Sequence, residues 1–288
     1  DSTAAMQLAD NIPSCRVILA VKHYWHKRFY VRRLKTIVEA IDSDRHDRQK
    51  RVAGWNQDAV GEARVLVVGA GALGNEVVKN LLQLGVVKIT LVDYDEIVPA
   101  NLNRCVFFSE ADVGKKKAEV VAREARRLEP AAEIAVMDKH VEHLSEDEFS
   151  KYNCAFGCLD NIGARLHLNA QCYGKVPLVD GGTAAFNGRV QTVRIPSACI
   201  ECAISTRDYK LLWKKYSCVG EVLDFLDPKM PALPTTTGII AAIQANEFLK
   251  LLLNQGETLE NKFLFYDGLK GEAKTYGVPK RAGCPVHP

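Results

Sequence analysis

At 288 residues, 47% hydrophobic and 25% charged, the chain has the balance of a soluble globular protein able to bury a sizeable core. A net charge of +3 gives no global reason to expect a nucleic-acid or membrane partner, and no apolar run reaches the roughly 18 residues of a membrane-spanning helix. The leading DSTAAMQLADNIP lacks the basic-then-apolar order of a secretory signal. Nine cysteines, an odd count with one CxxC pair, suit a reducing cytoplasm and a metal site better than a disulfide framework.

Residues 1–43 read as an N-terminal helical extension. Within them KHYWHKRFYVRRLK (22–35) is basic and aromatic, and Val31, Leu34, Val38 and Ile41 recur at helical spacing, as in an amphipathic helix with a solvated basic face. From residue 64 strand and helix alternate. RVLVVGA (64–70) is a short apolar run of the kind buried in parallel sheets. A helix through Asn75–Leu84 and a second strand, KITLVD (88–93), follow. GKKKAEVVAREARRLEP (114–130) forms a helix with Val120, Val121 and Leu128 on its apolar side, and EIAVMD (133–138) a third strand. SEDE (145–148) is a capping box opening a short helix. CAFGCLD (154–160), a helix over Ile162–Tyr173 and VPLVD (176–180) complete the alternation. It predicts an α/β fold with a doubly wound, largely parallel Rossmann-like sheet. After residue 181 the pattern changes: Asn187-Gly188 between alternating flanks predicts a hairpin turn. TTTGIIAAIQANEFLKLLL (235–253) reads as a long apolar helix and NKFLFYDG (261–268) as a strand. Residues 44–288 are thus expected to form one domain with an antiparallel C-terminal extension.

GAGALG (69–74) matches GxGxxG between a strand and a helix, with Asp93 about twenty residues on. Gly69, Gly71 and Gly74 let the backbone approach a nucleotide, the helix N-terminus favours phosphate, and Asp93 suits ribose hydroxyls. This fingerprint is shared with NAD enzymes. Next, DYDEIVPANLNRCVFF (93–108) sets Asn101, Asn103 and Arg104 beyond the second strand, where loops at the carboxyl ends of strands form the ligand crevice. DVGKKKAE then puts Lys115, Lys116 and Lys117 in the first turn of a helix, whose N-terminus already carries partial positive charge. Such a cluster is expected to face something anionic, such as a triphosphate. An NAD dehydrogenase leaves both features unexplained.

Taken in order, GAGALG, NLNR (101–104), the lysine helix, CLDN (158–161), VPLVDGGT (176–183) and CIEC (199–202) resemble the ubiquitin-activating-enzyme family, whose superfamily includes the bacterial MoeB and ThiF adenylyltransferases. The match runs from about Arg45 to the C-terminus, and VDGGTAAFNGRV followed by CIEC looks closer to the subunits that activate ubiquitin-like modifiers. The resemblance implies adenylation by Mg-ATP of the C-terminal glycine of a ubiquitin-like protein ending in Gly-Gly, by a homodimer that passes it to a ubiquitin-conjugating-type enzyme. The alternative it allows is a sulfur-carrier adenylyltransferase of the MoeB or ThiF kind. By the same resemblance Arg104 and Lys117 occupy phosphate-binding positions and Asp160 matches an aspartate that assists Mg2+. Asp93, Asp95 and Asn101 match ribose and nucleotide contacts, and Arg48 an arginine that reaches the ATP of the opposite subunit. Cys105 departs from the glutamine that usually follows NLNR.

The cysteines divide by position. Cys199 and Cys202 of CIEC, with Cys284 and His287 near the C-terminus, make a Cys3His donor set for Zn2+. Cys154 and Cys158 sit on the fourth strand, Cys172 late in a helix and Cys15 in the extension. Cys218, in KKYSCVGE (214–221), falls where the family's modifier-accepting cysteine commonly lies, and Lys214 and Lys215 favour its thiolate. Cys218 is therefore the expected thioester nucleophile, with Cys105 as its rival.

Overall fold

The computed structural model of the protein describes residues 44–204 and 231–287. Cys15, the basic stretch 22–35, the rest of the extension 1–43 and the KKYSCVGE segment with Cys218 lie outside them. Contacts divide the chain after Asp58. In the first unit the short helix α1 (Asp47–Lys50) carries the exposed Arg48. There Gln49 Nε2 donates to Gln57 Oε1 at 2.7 Å, and Trp55 Nε1 donates to the same oxygen at 3.0 Å.

Helix α2 (Gln57–Glu62) leads into the second unit. Its elements are β1 (Arg64–Val68), α3 (Ala72–Leu84), β2 (Lys88–Val92), α4 (Lys117–Leu128), β3 (Glu133–Met137), α5 (Glu146–Phe149) and β4 (Cys154–Gly157). They continue as α6 (Ile162–Cys172), β5 (Leu178–Ala184), β6 (Asn187–Val193), α7 (Pro234–Leu253), β7 (Lys262–Asp267) and β8 (Glu272–Gly277). One eight-stranded sheet runs in the order β3-β2-β1-β4-β5-β6-β7-β8. The first five strands pair in parallel, and β6, β7 and β8 are added antiparallel. This is the expected Rossmann-like sheet with its antiparallel extension.

Helices cover both faces of the parallel half, which is why β1, β2 and β4 read as unbroken apolar runs. On one face Leu66, Val68, Val92, Ala155 and Leu178 pack with Phe149 of α5 and Leu168 and Cys172 of α6. Helix α7 lies on the other face, against α3, β5 and β6. Asp180 meets Arg165 of α6, whereas a β-carbon at the next residue, Gly181, would fall against Gln244 of α7. Because α7 is flanked by sheet and helix it is apolar nearly all round, and its buried Glu247 accepts from Thr192 Oγ1 at 2.7 Å and from Leu259 N at 2.6 Å. Gln244 Nε2 donates to Gly157 O, at the end of β4, at 3.0 Å and to Val179 O, near the start of β5, at 2.9 Å, tying the two strands to α7. Among the described residues, no helix is long and apolar enough to cross a membrane.

Three local expectations change. The β5–β6 turn is Ala185-Phe186, closed by the Ala184–Asn187 pair, rather than Asn187-Gly188. Gly188 instead meets α7, because a β-carbon there would stand 2.3 Å from Ile240. Ser145 precedes α5 but makes no side-chain capping bond. Helix α4 begins at Lys117, so Lys115 and Lys116 precede its first turn.

Replacing Gln244 by Leu removes the side-chain donor from two buried strand carbonyls, those of Gly157 and Val179. Urea denaturation should show a loss of about 1–3 kcal/mol.

Candidate functional site

The sheet order reverses between β1 and β4, and the glycine loop sits at that switch point, at the carboxyl ends of the strands. Two of its glycines are required by the protein itself. Gly69 has φ of 97°, and a β-carbon there would stand 2.6 Å from Cys158 O. A β-carbon at Gly74 would stand 1.9 Å from Gly69 O. Gly71 has neither constraint: its φ is −74°, and a β-carbon would meet nothing within 4 Å. Gly71 is also the N-cap of α3 and offers no side chain to the first-turn N–H groups. A cradle that stays open only while residue 71 lacks a β-carbon suits the phosphates of a nucleotide.

Asp93 stands beside this loop. Its Oδ2 accepts from Ala70 N at 2.6 Å and its Oδ1 from Asp95 N at 2.8 Å. Burial pushes its carboxyl up, against the pull of the Lys117 charge and the two N–H groups. Each oxygen keeps a lone pair for a ribose hydroxyl. The lysines are partnered one by one. Lys115 Nζ lies 3.0 Å from Asp112, Lys116 Nζ donates to Tyr94 O at 2.8 Å, and Lys117 Nζ pairs with Asp95 at 2.6 Å. The lysine run is therefore stable at this helix start without an anion, contrary to the reason first given for expecting one. Arg104 is half-buried, and its Nη1 donates to Ala100 O and to Asn103 Oδ1. Asn101 is buried and its Oδ1 accepts from Val98 N at 3.0 Å, so its side chain shapes its own turn. Asp160 is exposed just beyond β4, with no hydrogen bond from a described residue, and Asn161 caps α6 by accepting from Gly163 N at 2.8 Å.

Asn75 escaped the sequence reading. It is fully buried, and its Nδ2 donates to Ala70 O and Gly71 O, both at 2.9 Å. Its Oδ1 accepts from Phe107 N at 3.0 Å. The signal was present in the pattern: Asn75, Val78 and Leu82 share the buried face of α3, where a polar residue needs a reason.

Cys199, Cys202, Cys284 and His287 come together as expected. Cys199 Sγ lies 3.8 Å from Cys202 Sγ and 3.6 Å from Cys284 Sγ, and Cys202 Sγ lies 3.1 Å from His287 Nε2. All four donor atoms lie within 4.8 Å of one another. Tetrahedral zinc with Zn–S of about 2.3 Å sets thiolates about 3.8 Å apart, so the donor set fits Zn2+. His287 packs against the Tyr173 ring at 4.9 Å between centroids, and Asn169 Oδ1 holds Ile200 N at 3.0 Å. The other described cysteines are inert thiols. Burial pushes Cys105 up to about 11 and raises Cys154, Cys158 and Cys172 further.

The α/β fold thus sets an open glycine loop beside the Asp93 carboxylate at its switch point, and apart from it a Cys3His cluster that could hold a metal ion. The ThiF family model matches residues 44–286, and the chain belongs to that family. It is 30% identical over 252 residues to the molybdopterin-synthase adenylyltransferase of Salmonella typhimurium, covering 84% of this chain and 95% of the relative. It is likewise 30% identical to the SAMP-activating enzyme E1 of Haloferax volcanii, over 86% of this chain and 90% of that one. The catalytic subunit of the NEDD8-activating enzyme E1 of Caenorhabditis elegans is 33% identical over 52% of this chain and 38% of its own length. The fold is shared with Escherichia coli MccB. Its crystal structures with succinimide and with ATP give TM-scores of 0.71 and 0.70, each at 22% identity over 85% of this chain and 74% of MccB.

Gly69→Ala should cost at least about 1–2 kcal/mol from the left-handed backbone alone. Gly71→Ala should melt within a few degrees of the wild type yet lose affinity for Mg-ATP, measured by calorimetry. Purified protein should carry about one zinc per chain by elemental analysis, and His287→Ala should surrender it to a weaker chelator than the wild type does.

Proposed function

We propose that the protein uses Mg-ATP to adenylate the C-terminal glycine carboxylate of a small ubiquitin-fold protein ending in Gly-Gly. The observation that carries the reading is Gly71. It needs no glycine for packing or backbone, yet it stands at the uncapped start of α3 between Asp93 and the Arg104 segment. In the reaction a carboxylate oxygen of the partner attacks the α-phosphorus. The bond from that phosphorus to the bridging oxygen breaks, and pyrophosphate leaves with the electron pair. Two anions meet in that step, so the protein must supply positive charge before they do. The first-turn N–H groups of α3 and Arg104 do so, with Lys117 available once a phosphate competes for it against Asp95. Asp160 would hold the magnesium ion, which when bound draws charge from the phosphate oxygens. Asp93 takes the ribose, and Asp95 and Asn101 shape the loops around it. Arg48 is assigned to the nucleotide of a second copy in a homodimer, in the cytoplasm.

Two fates of the adenylate differ in the next bond. In the first, the Cys218 thiolate attacks the acyl carbon, AMP leaves and a thioester is passed to a conjugating-type enzyme. In the second, the adenylate goes directly to a sulfur donor. The motifs favoured the first. The relatives matched over nearly their whole length, an adenylyltransferase of molybdopterin synthase and a SAMP-activating E1, support the second at least as well. The inert state of Cys105 favours Cys218 as the acceptor if a thioester forms.

Pyrophosphate should exchange into ATP only when a Gly-Gly-ended ubiquitin-fold protein is added. Exchange without it, or none with any such protein, overturns the reading. Cys218→Ala should keep exchange and lose a thiol-sensitive adduct seen by mass spectrometry. An absence of adduct in the wild type, with exchange intact, selects the sulfur-carrier fate.

A further inference from the structure

Asn75 lies outside the residues assigned to the reaction; it bonds neither Asp93 nor the Cys3His cluster directly. Its three hydrogen bonds nevertheless connect two segments that must cooperate in the crevice. Nδ2 reaches the carbonyls of Ala70 and Gly71, and Oδ1 reaches the N–H of Phe107, three residues after Arg104. Gly71 O already accepts the first intrahelical bond, from Asn75 N at 2.9 Å, so the helix sets its direction, whereas Ala70 O is held inward by the fully buried Asn75 side chain. A carbonyl oxygen left facing the crevice would repel a phosphate, and drawing that of Ala70 inward leaves the loop presenting N–H groups and the helix start. The Phe107 bond acts on the other partner. Arg104 N and Cys105 N both bond Asn101 O at 3.1 Å, and Phe108 N bonds Cys105 O at 3.1 Å, so residues 101–108 hold together as linked turns. Fixing Phe107 therefore fixes where Arg104 starts.

We infer that Asn75 is a positioning residue for the triphosphate: its side chain turns the Ala70 carbonyl away from the anion and sets the register between the glycine loop and Arg104. This inference rests on the nucleotide-binding reading of the same site. A merely structural role would weaken every ligand of the crevice alike. A positioning role for phosphate weakens ligands in proportion to the phosphate they carry.

The test compares Mg-ATP with adenosine, which has the base and ribose but no phosphate, on the full-length protein by calorimetry. Asn75→Ala should weaken Mg-ATP by about 10- to 100-fold and adenosine by less than about 3-fold. Asn75→Asp keeps the side-chain volume and the acceptor for Phe107 but loses both donors. It should weaken Mg-ATP at least as much as the alanine variant, again sparing adenosine, and it serves if the alanine variant does not fold. Equal weakening of both ligands, or no weakening of Mg-ATP, overturns the inference while the adenylation reading stands. A wild-type chain that binds no Mg-ATP overturns both.

Discussion

The crevice depends on how closely the chain leaving β1 passes the chain leaving β4. The two strands are parallel neighbours, with Val68 opposite Gly157, so both segments emerge at the same edge within van der Waals reach. A β-carbon at Gly69 would collide with Cys158 O, and one at Gly74 with Gly69 O. The turn is therefore as tight as a backbone allows. That tightness aims the start of α3 at the switch point instead of beside it. It also brings Asp93, from the end of β2, within 2.6 Å of the loop N–H at Ala70. Loosening the turn would misplace the helix start, the carboxylate and the Arg104 segment together.

The charges around this edge are settled mostly among themselves. Asp112 is buried and accepts from Ser109, Lys115 and Arg123, which hold its carboxyl well below the usual carboxylate range. Lys117 answers Asp95, and Lys116 answers Tyr94 O. Beside the loop remain the uncapped first turn of α3 and, among the described residues, the Arg104 guanidinium bound to the neutral oxygens of Ala100 and Asn103, with the Asp93 carboxylate against Ala70 N.

The metal cluster has a different task. Cys199 and Cys202 follow β6, while Cys284 and His287 lie beyond β8, the exposed edge strand. A zinc ion held by all four would close a loop of more than eighty residues and anchor both ends of the antiparallel extension against α6, where Cys199, Ile200 and Cys284 join the apolar core. The extension needs such an anchor because β8 has a neighbour on one side only and is exposed along its length. Coordination by a metal there would supply a constraint that hydrophobic burial does not supply at the exposed β8.

Composition and periodicity by themselves determined the alternation of strands and helices, the parallel sheet and the glycine loop, and the CIEC spacing marked Cys199 and Cys202 as one half of the Cys3His cluster. Each is written in local patterns: apolar runs, GxGxxG and the CxxC spacing. Only the tertiary structure decided what depends on contacts between distant residues. Gly188 reads as a turn residue but is small because Ile240 of α7 crosses it. The lysine run reads as an anion site, yet besides the local Asp112 it is partnered by Tyr94 O and Asp95, each 22 residues from the lysine it meets and brought there by the fold. Cys105 reads as a rival nucleophile to Cys218 but is buried, and burial disfavours its thiolate. Asn75 reads as one polar residue in a helix. Its purpose emerges when Ala70, Gly71 and Phe107 converge on it, because hydrogen-bond partners are chosen by position in space, and a one-dimensional pattern records only which groups are available.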